Sequence, residues 1–171
     1  GGGSYMGLTV KNDGSSASLS GGTYKKIEWG KSYVPANEYL ADGYGYKTSD
    51  GTWEDGTASV DDVTVMPAPI KSTKVYPNSE TDYSGSTFDA KNSTSVTLTV
   101  SVTSDESAGL TYTWYRSIND EWRSLTNPYI TQGLTEKYTG ADSQTLSITE
   151  LPAGQTFSYK VQIATGDGYK C

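Results

Sequence analysis

The chain carries no histidine, so carboxylates and aromatic rings are the side chains best equipped for chemistry. Without an imidazole there is no Ser-His-Asp or Cys-His nucleophile pair, and the commonest metal ligand is missing. Glu54 with Asp55, and Asp61 with Asp62, are adjacent carboxylates that could do acid–base work. Glycosidic acid–base pairs face each other across a cleft, whereas neighbours along a strand point to opposite faces. These carboxylates are therefore expected to be solvated turn charges, and the chain is expected not to be an enzyme. Asp50, Asp55, Asp61 and Asp62 lie in glycine-bearing loops and offer the hard oxygens that suit calcium, but without EF-hand spacing. Asp-Gly pairs also serve backbone turns, so the reading assigns no metal and no cofactor. The single cysteine, Cys171, excludes an intrachain disulfide and a cysteine-based metal site.

Aromatic side chains are the richer resource, with 14 Tyr and 4 Trp. Tyr44 lies between two glycines, Tyr46 follows the second of them, and Trp53 follows a turn. Trp122 lies in the polar stretch Ser117–Asn127, read as a loop, beside Asp120, Glu121 and Arg123; Tyr129 follows a proline. Rings displayed on loops suit recognition, because they bury much area at small entropic cost. Tyr44, Tyr46, Trp53, Trp122 and Tyr129 are accordingly the candidate ligand-binding residues. A small β-domain also needs rings for its own interior, and Trp29 and Trp53 could serve either purpose.

The elements that must position these residues are strands. Ser and Thr together number 45, apolar residues are only 34% of the 171, and Thr, Tyr and Val suit a pleated surface. No stretch sustains a helical period. Five Asp-Gly pairs, at 13–14, 42–43, 50–51, 55–56 and 167–168, favour the positive backbone angles of tight turns. The composition predicts an all-β protein. Residues 1–4 read as a linker and are left out of the fold. Val65-Met66-Pro67-Ala68-Pro69-Ile70 is the best boundary, giving a small β-rich domain over 5–68 and a second domain over 69–171. In the first, strands are expected at Leu8–Val10, Ala17–Ser20, Tyr24–Trp29, Glu38–Lys47 and Val60–Met66, with a hairpin turning at Ser49-Asp50-Gly51. Its ending, Ser59–Val65, resembles the last strand of jelly-roll carbohydrate-binding modules. In the second, Val96, Leu98, Val100 and Val102 alternate with polar residues. So do Leu110, Tyr112 and Trp114, then Leu146 and Ile148, then Tyr159, Val161 and Ile163.

From Ser95 onward the chain resembles the immunoglobulin superfamily in its cysteine-free bacterial form. Thr111-Tyr112-Thr113-Trp114-Tyr115-Arg116 is similar to the strand bearing that family's core tryptophan. Val100 stands 14 positions before Trp114, where the first family cysteine would be. Leu146-Ser147-Ile148-Thr149-Glu150-Leu151 resembles the family's L-x-I signature, and Tyr159 and Val161 follow Leu146 by 13 and 15 positions. The resemblance implies a Greek-key β-sandwich in which Val100 and Val161 replace the disulfide against Trp114 and Tyr159 makes a corner bond to backbone. Gln155 and Phe157 stand where the family has an acidic and a small residue, and little sequence follows the Gly166-Asp167-Gly168 turn. In pilus-type relatives a lysine forms a covalent crosslink; Lys74 is more readily an exposed lysine.

The net charge of −7 disfavours nucleic acid and anionic membrane surfaces as partners, and no apolar run is long enough for a membrane span. The expectation is a non-catalytic module of a bacterial cell-surface or secreted protein. Its role would be adhesion, ligand binding or spacing, and its partner a protein or glycan on a host or neighbouring surface. The alternative is a carbohydrate-binding accessory module of a secreted polysaccharide-degrading enzyme.

Overall fold

The computed structural model describes residues 4–5, 8–10, 18–29, 35–105 and 109–171, the first two stretches and Trp29 by backbone alone. The protein is all-β and forms two compact units. The chain up to Lys71 makes the first unit together with Ser104, Asp105 and Thr165–Lys170; the second takes Ser72–Thr103, Cys171 and the described residues up to Ala164.

The first unit is one sheet. Its strands are β1 (Ser4–Tyr5), β2 (Leu8–Val10), β3 (Thr23–Trp29), β4 (Tyr44–Thr48), β5 (Trp53–Glu54) and β6 (Val60–Pro67). They lie in the order β1-β3-β6-β4-β5, with β2 also on β3. β1 and β2 run parallel to β3, and the other pairs are antiparallel. The β4–β5 hairpin turns at Asp50-Gly51, where Gly51 takes φ 89°, and Thr48 and Thr52 both donate to the Asp50 carboxylate. Tyr24, Ile27, Tyr46, Val60, Val63 and Val65 form the buried face, covered by Ala36 and Tyr39 from a 3-10 turn, Ala36–Tyr39. That turn replaces the strand expected from Glu38. It follows Pro35 and carries the Tyr39 ring onto the sheet, while Leu40 bridges only to Leu19. Tyr24 and Ile27 on β3, and Val60 and Val63 on β6, are buried three apart, with Lys25 and Asp62 between them left out of the ladder and Asp62 at φ 50°. On β6 the period of two is interrupted at the left-handed Asp62 and resumes from Val63 to Val65. The strand expected at Ala17–Ser20 falls partly outside the described residues.

The second unit has two sheets. β7 (Ile70–Pro77, within this unit from Ser72), β8 (Val96–Ser104), β11 (Lys137–Thr139) and β12 (Thr145–Thr149) are ordered β11-β12-β8-β7. β9 (Thr111–Ile118), β10 (Glu121–Ser124) and β13 (Tyr159–Ala164) are ordered β10-β9-β13. Register sets the faces. Leu146 opposes Leu98, Ile148 opposes both Val96 and Tyr138, and these side chains share one face of the first sheet. Trp114 opposes Val161, Tyr112 opposes Ile163 and Arg116 opposes Tyr159 on one face of the other. Val100, Trp114, Leu125, Leu146, Ile148 and Ile163 are all buried, Val161 half-buried. Full burial of such side chains contributes about 1.5–3 kcal/mol each. The Trp114 indole donates to the Ser143 carbonyl at 2.8 Å, from one sheet to the turn leading into the other. After the Gly168 turn, Cys171 exchanges both backbone hydrogen bonds with Ile163 at 2.9 Å.

Candidate functional site

Between the two sheets of the second unit lies a polar cluster within the apolar layer. Arg116 projects from β9 in line with Trp114, and Glu136 immediately precedes β11. Their Nε and Oε2 atoms are 3.1 Å apart, with side chains 9% and 2% exposed. The approach is off the hydrogen-bond line, so at Nε the pair is a contact of charge on charge. The Tyr138 hydroxyl donates to the same Glu136 oxygen, and it meets the Tyr159 hydroxyl at 2.9 Å. Phe157 lies across the guanidinium at 3.7 Å from ring centre to Cζ. Burial pushes the Tyr159 phenol up to about 12, and burial with the Glu136 hydrogen bond pushes Tyr138 up further. A tyrosine corner to backbone was expected at Tyr159; its hydroxyl instead meets that of Tyr138. The unexpected Phe157 is the ring that covers Arg116. The cluster links β9 and β13 of one sheet to β11 of the other, with the Arg116 Nε hydrogen left unpaired.

The outer face of the β10-β9-β13 sheet is open. Asn119 and Asp120 take φ 51° and 64°, so the expected loop is a two-residue hairpin turn with both residues left-handed. Trp122 is thereby placed on a strand, opposite Ser117. Tyr115 sits between Ser124 on one side and Lys160 on the other. The Lys160 ammonium lies 4.8 Å from the Trp122 ring centre and 5.4 Å from that of Tyr115. Trp122 remains 44% exposed. Tyr115 and Lys160 were not singled out from the sequence, yet period two carried the signal. If Tyr112 and Trp114 point inward, Tyr115 points out, as does Lys160 between Tyr159 and Val161.

The remaining candidates are scattered. Tyr129, 82% exposed, stands on a single helical turn, α1 (Pro128–Thr131), whose start is capped by the Asn127 side chain. Tyr44 is half-buried against the first unit's core. Tyr46 is a correction: its ring is fully enclosed and its hydroxyl donates to the Ala36 carbonyl, so it cannot present a face to a ligand. Its inward direction follows from alternation with Gly45 and Lys47 on β4. Trp53 is half-buried and fixed. Its indole donates to the Asp167 carboxylate at 3.1 Å, and its ring meets Tyr169 edge-on at 5.3 Å. Lys47 lies 5.1 Å from its ring centre. The Thr165 hydroxyl, more than the indole, holds the Asp167 carboxyl below its ordinary value. Asp61 and Asp62 are exposed.

Comparison with known proteins finds no matching family model, no matching curated protein and no matching solved structure. Among the described residues, no helix is long and apolar enough to cross a membrane.

Proposed function

We propose that this chain is a non-catalytic binding module of a bacterial cell-surface or secreted protein, with an immunoglobulin-like second unit, acting in adhesion to a protein or glycan. The strand order supports the family reading. Taken along the chain, β7 to β13 fall into the two sheets as the immunoglobulin fold distributes its A, B, C, C′, D, E and F strands. The observation that carries the binding role is Trp122. A tryptophan 44% exposed on a sheet face, opposite a serine and beside a lysine, does nothing for the interior already filled by Trp114. Exposed aromatic faces are what recognition surfaces are made from.

Trp53 favours a second reading, the accessory carbohydrate-binding module. It is held by Asp167 and Tyr169 on the first unit, so it would present a ring at no further ordering cost. Presenting the intact chain to a panel of extracellular proteins and a glycan array separates the readings. Adhesion predicts retention that Trp122→Ala abolishes; the accessory role predicts glycan retention that Trp53→Ala abolishes. No retention on either panel, or turnover of any array member, overturns both.

A further inference from the structure

The outer face of the β10-β9-β13 sheet differs in charge from the rest of the chain. The sequence holds 20 acidic against 13 basic residues. Register places Thr111, Thr113, Tyr115 and Ser117 of β9, Trp122 and Ser124 of β10, and Lys160, Gln162 and Ala164 of β13 on this face. That set contains one cation and no carboxylate. The nearest acidic residue along β10, Glu121, opposes Ile118 and belongs to the other face, where it pairs with Arg123 at 3.6 Å.

The cation is held in place. The Lys160 ammonium lies 4.8 Å from the Trp122 ring centre and 5.4 Å from that of Tyr115. Attraction to two ring faces fixes a side chain that otherwise sweeps many rotamers. Around it stand hydroxyls and one amide, groups that can both donate and accept.

Resting on the binding-module reading above, we propose that this face binds an acidic glycan, with the Lys160 ammonium meeting a uronate carboxylate. The attached pyranose then lies by its C–H face on the Trp122 ring. Ser117, Ser124 and Gln162 meet its hydroxyls. One fixed cation and no carboxylate on this face supply charge complementarity to an anion in a protein of net charge −7. The mixture of neutral donors and acceptors beside a flat ring matches the hydroxyls and C–H face of a sugar.

The test uses the intact chain and oligogalacturonate, with a neutral xylan oligomer and polyglutamate as comparison probes, read by calorimetric titration. Oligogalacturonate is expected to bind, more weakly as salt rises, while the other two bind at least about tenfold less tightly. Trp122→Ala and Lys160→Gln should each weaken it by about tenfold or more, and Lys137→Gln, at an exposed lysine on β11 of the other sheet, should leave it unchanged. Lys160→Gln keeps a similar shape, so its loss cannot be laid to misfolding if the melting curve is unaltered. Failure of oligogalacturonate to bind, equal binding of polyglutamate or xylan, or indifference to both substitutions overturns the proposal. A protein ligand found on the adhesion panel, with oligogalacturonate inert, overturns this inference alone and leaves the binding-module reading in place.

Discussion

Arg116 and Glu136 face each other at 3.1 Å inside the second unit, both almost wholly removed from water. A pair so placed contributes little net stability as a pair, because desolvating two ions offsets their attraction. Removing one partner is a different matter, since it strands the other charge. Glu136→Gln or Arg116→Met is expected to destabilise the unit by about 3–5 kcal/mol, while Arg116→Met with Glu136→Leu costs much less than the sum. Urea titrations of the single and double variants measure this coupling.

Alkaline stability reports the same cluster. Burial raises the Tyr159 phenol from its ordinary 10.0 to about 12, and raises Tyr138 as well. The folded state thus keeps protons that the unfolded chain releases above the ordinary value. The stabilisation is fully present below pH 10 and is lost as pH climbs through the folded value near 12. The urea midpoint should fall over that window. Tyr138→Phe and Tyr159→Phe should each flatten the fall, and tyrosinate absorbance should show late-ionising phenols in the wild type.

The four tryptophans are not equivalent. Trp114 is fully buried and Trp122 is 44% exposed, so Trp114→Ala should cost about 3–5 kcal/mol. Trp122→Ala should change stability by no more than about 0.5–1 kcal/mol, the scale of an exposed cation–π contact. Parallel denaturant curves check the contrast. Equal losses would mean that Trp122 is a structural ring, and the binding role would fall.

Gly45 is a packing glycine. A Cβ there would come within 2.9 Å of the Trp53 ring and 3.2 Å of Tyr169. Gly45→Ala is expected to cost about 1–3 kcal/mol by overpacking. If the ring is the obstacle, the penalty should shrink in a Trp53→Ala background, which a double-mutant cycle measures.

Where one face of a strand is buried, the sequence was explicit. Val96-Leu98-Val100, Tyr112-Trp114 and Leu146-Ile148 marked their strands, because one-face burial imposes a period of two that composition cannot hide. The Asp-Gly turns at 42–43, 50–51, 55–56 and 167–168 are just as direct, each glycine taking positive φ. The turn at Asn119-Asp120 uses less permissive residues, so the strand carrying Trp122 read as loop. Tyr46 likewise reads as a display residue, since the glycine before it says nothing about which face the ring takes.

What the residues determined by themselves was therefore local: the strands whose one-face burial shows as alternation, and the absence of imidazole chemistry. Tertiary structure alone decided which residues meet. It brought Glu136 from before β11 to Arg116 on β9, set Asp167 under Trp53 across 114 positions, and gathered Tyr115, Trp122 and Lys160 from three strands. Alternation assigns a side chain to a face, but neighbours on that face are chosen by strand pairing. Pairing depends on contacts far apart in sequence, and no short window of residues encodes them.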